Sequence, residues 1–313
     1  MRLLTLTLLT AASLTLASCG AEAKTTEQPK ANAAAQPKAQ PKELRFSVLP
    51  DWNKRSLAED GQALATLLQK KLGVPVRFTA SNDYAACVNQ LVANTIDFVW
   101  LGGKTTCDAI DAGKGEVHVL ATRDIDLAFK TYFIGNKAAI DGGKLKVMKD
   151  LAELKPIAKD LTFTFGDQNS TSGHLMPRHF LTLAGIDPDK AFKTVGYAQG
   201  GHSGTLQSVV AGSVDLGALN YAYYDAASVE DKAKAPILYT TPEYVDYAWV
   251  SHTRIGAEMT AKLKNAFLEL DAKVPEEKAV LTSYSAGKFL AADDKQWNSI
   301  RKVRDALPKG FLK

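Results

Sequence analysis

Three short segments concentrate residues able to hold an anion. Ser170-Thr171-Ser172-Gly173-His174 puts three hydroxyls in a row before a residue with no Cβ, between a strand-like run and a helical one. A turn that opens a helix presents unpaired backbone N–H groups and the positive end of the helix dipole, which suits a small oxyanion. The hydroxyls add donors, and Gly173 lets the backbone come close. The same residue types also serve as ordinary helix caps, and the motif alone leaves both roles open. Gly200-Gly201-His202-Ser203-Gly204-Thr205 opens another helix, where His202 is either a donor to an oxyanion or a solvated side chain. The third segment, Leu101-Gly102-Gly103-Lys104-Thr105-Thr106, carries the Gly-Lys-Thr of a nucleotide loop. That loop needs a Gly five residues before Gly103, where Phe98 stands, so the nucleotide reading fails. Thr105 and Thr106 remain as helix-start anion contacts.

Catalytic patterns are missing. His174 and His179 are five residues apart, not the four that puts two metal ligands on one helix face. No Gly-x-Ser-x-Gly elbow occurs. Cys107 has no evident partner base and reads as a buried small hydrophobe or as half of a disulfide with Cys87. The expectation is a binding protein, not an enzyme, with no metal and no cofactor.

These turns need strands to end at them and helices to start from them. Leu44–Leu49, Val76–Thr79 and Ile96–Leu101 read as strands. Ser56–Leu72, Asp83–Ala93 and Thr105–Ala112 read as the helices between and after them. The grammar restarts with strand Leu161–Phe165, helices His174–Ala184 and Ser203–Ala211, and strand Val214–Leu219. Gln90–Phe98 and Ser208–Leu216 echo each other as helix ends turning into buried strands. Strands alternating with helices imply mostly parallel sheets covered on both faces, with ligand beyond the strands' carboxyl ends. Phe129–Ile134 and Tyr244–Val250 read as two aromatic strands carrying the chain between lobes, a hinge suited to closure. Helices over Ala257–Leu270, Glu276–Tyr284 and Asp293–Ala306 are expected to pack on the first lobe.

The ends set the compartment. Arg2, an apolar run from Leu3 to Leu16, and Leu16-Ala17-Ser18-Cys19 describe a signal peptide over residues 1–18. The run is shorter than the ~20 residues of a membrane helix. Residues 19–42 then lack aromatic side chains and read as a flexible tether. Of the formal +4, Arg2 and the tether's four Lys against two Glu account for three, leaving +1 on the body. No basic stripe appears there, which argues against nucleic acid as a partner. The body divides into lobe 1, residues 43–133 and 248–313, and lobe 2, residues 134–247.

Together these motifs are recognisable. Ser170-Thr-Ser-Gly-His-Leu-Met-Pro-Arg-His-Phe-Leu resembles the signature of periplasmic binding proteins of the phosphate, phosphite and phosphonate importers. Ser81-Asn-Asp-Tyr-Ala-Ala, Ile96-Asp-Phe-Val-Trp-Leu-Gly-Gly and Gly201-His202-Ser203 follow in the family's order. The combination is most similar to a branch labelled as selenate binders. Small residues before Cys19 resemble a lipobox, which makes Cys19 the lipidated first residue of the mature chain. The resemblance implies an α/β class II periplasmic-binding-protein fold of two lobes. It implies a monomer, lipid-anchored in the periplasm or on the outer face of the cytoplasmic membrane, that passes a small oxyanion to an ABC permease and its ATPase. Ser170, Thr171, Ser172 and Gly173 match its anion-cradling turn, His202 and Ser203 its second-lobe turn, and Tyr84 lies in a family motif. A related subfamily senses arsenite through a Cys. That raises an alternative, an oxyanion sensor acting on a membrane histidine kinase with Cys107 as thiol ligand.

Overall fold

A computed structural model describes residues 41–51 and 54–307, so the signal peptide, Cys19 and nearly all of the tether lie outside the described residues. In chain order the first elements are β1 (Leu44–Val48), α1 (Lys54–Leu72), β2 (Val76–Phe78), α2 (Tyr84–Val92), β3 (Phe98–Leu101), α3 (Gly103–Ala112) and β4 (Val117–Arg123). The middle of the chain holds β5 (Thr131–Gly135), α4 (Lys137–Asp141), β6 (Thr162–Phe165), α5 (Met176–Leu183), α6 (Pro188–Ala191) and β7 (Thr194–Tyr197). It continues through α7 (Gly201–Val210), β8 (Leu216–Asn220), α8 (Tyr221–Asp225), α9 (Val229–Lys234) and β9 (Ile237–Thr240). The chain then returns through β10 (Ala248–His252), α10 (Ala257–Leu268), α11 (Pro275–Ser283), β11 (Phe289–Ala291) and α12 (Asn298–Ala306).

Two sheets form. The first runs β11-β4-β10-β3-β1-β2 and the second β7-β6-β8-β5-β9. The parallel parts are β2-β1-β3 and β7-β6-β8, while β4, β5, β9, β10 and β11 pair antiparallel. The sheets are therefore mixed: the strand that enters each sheet after a crossing, β5 or β10, runs against the direction of its βαβ core. The strands β4, β7, β9 and β11 are too short or too interrupted by polar residues to announce themselves. The chain crosses before β5, all five residues of which pair in the second sheet. It returns before β10. At the crossing, Phe129 and Tyr244 exchange backbone hydrogen bonds of 2.8 and 2.9 Å, tying the two connections together.

Each sheet buries its own core. In the first, all four residues of β3 are buried, as a strand covered on both faces requires. Phe46 stacks on Phe98 at 4.9 Å and Trp249 on Phe267 at 4.6 Å. Each such fully buried ring contributes roughly 1.5–3 kcal/mol. In the second, Phe163 stacks on Phe192 at 5.0 Å, with Phe133, Leu161 and Leu216 around them. Two sheets joined by paired connections bring strand ends face to face.

Candidate functional site

Four helix starts converge between the sheets. Asp83 caps α2 by accepting from Ala86 N–H, which places Tyr84 as the first helical residue. Gly102 precedes α3, and Gly103 N–H donates to Asp246 Oδ1 at 2.8 Å. Ser170 caps a π-type turn, Thr171–Leu175, with its Oγ accepting from Gly173 N–H at 2.9 Å; α5 then continues from Met176. Gly200 and Gly201, both left-handed at φ 84° and 61°, swing the chain into α7. That conformation favours glycine. Here it also admits close approach, because a Cβ on Gly201 would lie 3.6 Å from the Tyr84 hydroxyl and 3.8 Å from Asp51 Cα. A Cβ on Gly102 would lie 3.2 Å from Thr171 Oγ1. Residues of opposite sheets are thus in contact across the cleft.

The polar atoms at this junction are incompletely paired. Tyr84 OH, Ser172 Oγ, His202 Nε2 and Asp246 Oδ2 are buried without a hydrogen-bond partner in the protein. Each such group costs about 1–3 kcal/mol, so several together identify atoms shaped for something other than the protein. Tyr84 OH lies beside the Ser170 side chain, and Ser172 Oγ beside Tyr244 OH. His202 is fully buried, and its Nδ1 accepts from Asn220 N–H at 3.4 Å. The other nitrogen, Nε2, therefore carries the proton. Burial pushes the ring down to about 3, so it is a neutral donor.

Two carboxyls complete the junction. Asp51 lies just beyond β1 and accepts from the Tyr247 hydroxyl at 2.6 Å; Asn220 Nδ2 in turn donates to Tyr247 OH at 3.2 Å. Asp246, just before β10, keeps one oxygen on Gly103 and the other unpaired. Burial pushes both up to about 7, against the opposing influence of the hydrogen bonds they receive and of the Arg123 guanidinium. Arg123 is itself spent: it grips Asp126 with bonds of 2.7 Å and lies over Trp100 and Tyr247.

The sequence-derived residues divide. Ser170, Thr171, Ser172, Gly173, His202 and Tyr84 are brought to the junction, with Ser203 half-buried in the first turn of α7. Ser170 Oγ and Thr171 Oγ1 already accept internal bonds, from Gly173 and from Lys104 N–H. Thr105 spends its hydroxyl on Gly102 O at 3.0 Å, while Thr106 Oγ1 is buried and unpaired. Arg178 turns from the cleft to Asp189, Tyr197 and His174. Cys107 corrects an expectation. Its Sγ faces Trp297 O at 3.6 Å under the C-terminal segment, and burial raises the thiol to about 12. It brings no thiolate to the cleft, so the sensor reading loses its one structural premise. Cys87 and Cys107 are both free and buried, so of the two readings left open for Cys107 the buried small hydrophobe holds and the disulfide does not. The sequence reading missed Asp51, Asn220, Asp246 and Tyr247. A usable signal existed for two of them, since Asp51 and Asn220 stand at carboxyl ends of strands.

Among the described residues, no group of three or more His, Cys, Asp or Glu could hold a metal, and no helix is long and apolar enough to cross a membrane. Residues 46–297 match the family described as ABC transporter, phosphonate, periplasmic substrate-binding protein. The chain is 34% identical over 278 residues to a probable ABC transporter phosphite binding protein of Prochlorococcus marinus (strain MIT 9301), covering 86% of this chain and 91% of that one. It is 27% identical over 268 residues to a phosphonates-binding periplasmic protein of Escherichia coli (strain K12), covering 84% and 76%. The solved structure of PhnD1 from Prochlorococcus marinus (MIT 9301) with methylphosphonate superposes with a TM-score of 0.78 at 34% identity, covering 84% of this chain and 97% of that one. The chain belongs to the periplasmic substrate-binding proteins of phosphonate ABC transporters, which are binding components and not enzymes.

Proposed function

We propose that this chain captures a small phosphorus oxyanion, of the phosphonate, phosphite or phosphate type, between its lobes and presents it to the permease of an ABC importer. The observation that carries this reading is the set of buried, unpaired polar atoms on both lobes: Tyr84 OH, Ser172 Oγ, His202 Nε2 and Asp246 Oδ2. Hydroxyls, a neutral imidazole N–H and helix-start N–H groups are donors to oxyanion oxygens. The likeness to a phosphite binder and to a methylphosphonate complex supports the ligand class. Ser203 and Thr106 are secondary contacts on this reading, and Cys19 carries a lipid that holds the protein at the membrane as a monomer.

The two carboxyls refine the ligand. A carboxylate cannot face an oxyanion oxygen unless a proton lies between them. Asp246 and a ligand oxygen therefore share one proton, and an acid that keeps its own near neutral pH supplies it without requiring a protonated carboxyl. Selenate and sulfate, fully ionised there, have no proton to share. That ranks phosphonate-type ligands above the selenate suggested by sequence likeness.

The test is a thermal-shift titration with methylphosphonate, phosphite, phosphate, selenate, sulfate and arsenite. Binding raises the midpoint by mass action. A phosphorus oxyanion should shift it most, and Cys107→Ser should leave the shift unchanged. A larger shift with selenate or sulfate would reject the proton-sharing account, and silence across the panel would reject the ligand class.

A further inference from the structure

We propose that Lys104 is a positioning residue that latches the closed lobes, setting affinity by bonding across the cleft to Asn169 and Thr171 and not by touching ligand. This goes beyond the anion-binding reading, on which only its affinity test rests. Lys104 sits in the first turn of α3, on lobe 1, and is 3% exposed. Its backbone N–H donates to Thr171 Oγ1 at 2.9 Å and its Nζ to Asn169 Oδ1 at 3.0 Å, both on lobe 2. Nζ also donates to Asp108 Oδ2 at 2.8 Å, within its own helix. The other Asp108 oxygen takes Arg304 Nη1 at 2.8 Å, which braces the lobe 1 end of the latch against α12.

The physical case lies in what each state asks of the ammonium. A buried charge is tolerated only when paired and hydrogen-bonded. Asp108 supplies the pairing inside lobe 1, whether the lobes are open or closed. Asn169 supplies a further acceptor only when they meet. It stands in the loop that leads into the Ser170 turn, where its own N–H is held by Asp167 Oδ1 at 2.7 Å. Closing therefore exchanges water on Nζ for a fixed acceptor and anchors that loop. A contact made in one state alone shifts the equilibrium toward it, and so raises apparent affinity.

The experiment uses the full chain with Cys19→Ser and fluorophores on Val147→Cys and Ala261→Cys, exposed positions on lobes 2 and 1. Lys104→Met should raise the methylphosphonate dissociation constant by about tenfold, within the usual range of coupling between linked equilibria. Asn169→Ala should do the same, because it breaks the crossing bond and leaves the lysine charge in place. The double variant should be no worse than either single, as expected of one interaction. Both variants should also shift the mean inter-label distance without ligand away from the parent's, a readout that a merely structural role would not move in step with affinity. If Asn169→Ala binds and closes like the parent while Lys104→Met does not, Lys104 acts on the anion directly and the latch is wrong. Additive losses, or unchanged distances in both variants, would overturn it too. Failure of the parent to bind any phosphorus oxyanion would instead sink the anion reading, and the ligand-free distances would still judge the latch.

Discussion

At the scale of residues, the donors at the junction are neutral. His202 keeps Nδ1 on Asn220 N–H and offers Nε2–H, and at a value near 3 it stays uncharged across physiological pH. Affinity then comes from aimed dipoles rather than from net charge. Ser172→Ala and His202→Ala should each weaken methylphosphonate binding by about 1–3 kcal/mol, the cost of a lost hydrogen bond to a charged group. Isothermal titration of the two variants checks this. Wild-type affinity in both would show that these unpaired atoms do not hold the ligand.

At the scale of elements, the anion turn has its own scaffold. Arg178, in the first turn of α5, donates to His174 Nε2 at 2.9 Å and grips Asp189 with both ends of its guanidinium. His174 Nδ1–H donates to Gln168 O at 2.8 Å, in the loop before the turn. Burial first, with the nearby Arg178 charge adding to it, lowers His174 to about 4, so the ring is neutral and both nitrogens stay engaged. Arg178→Met would remove the short bond to this buried imidazole nitrogen and leave it only the Tyr197 hydroxyl at 3.4 Å. The expected cost is about 1–3 kcal/mol of unfolding free energy, read by urea denaturation, with a weaker ligand response because the turn loosens. The echoed segments also resolve at this scale. Thr95 and Ile96 N–H both donate to Gln90 O, and Ser213 and Val214 N–H both donate to Ser208 O. Asn94 and Gly212 take the left-handed position before each strand, at φ 63° and 71°. One local structure is used twice, delivering β3 to one side of the cleft and β8 to the other.

At the scale of the whole molecule, packing between the two sheets buries two acids, Asp51 and Asp246. Asp51 and Asp246 are raised to about 7 by burial, so between about pH 4 and 7 the folded chain binds more protons than the unfolded one. Their contribution is fully present below about pH 4 and lost as pH rises through 7. His202 and His174, lowered to about 3 and 4, contribute the opposite slope up to about pH 6.5. The parent's profile therefore mixes both effects, and the acids are isolated by difference. Asp51→Asn/Asp246→Asn should gain stability relative to the parent as pH rises from 4 to 7, then hold a constant advantage. Midpoints of thermal unfolding without ligand, measured at pH 4 to 8, test this. A difference independent of pH would mean that these carboxyls are not shifted.

The sequence by itself determined the family, the hydroxyl turn, the His202 turn and the alternation of strands with helices, because each is written in neighbouring residues. Ser170 to His174 form one turn capped locally, with Gly173 N–H on Ser170 Oγ and Leu175 N–H on Ser170 O, and β3 is a continuous apolar run. It was silent where function is assembled from distance. Asp51 meets Tyr247 across 196 positions, and Gly103 meets Asp246 across 143. A lone Asp beside Pro50 or Val245 looks like any solvated loop acid until burial removes its water. Cys107 shows the converse: its neighbours in the chain suggested a place near the cleft, and the packing of the C-terminal segment, 190 positions away, holds its thiol against Trp297 O. Only the tertiary structure decides which polar atoms lose water and which find partners, since desolvation depends on what packs over an atom and not on what precedes it in the chain.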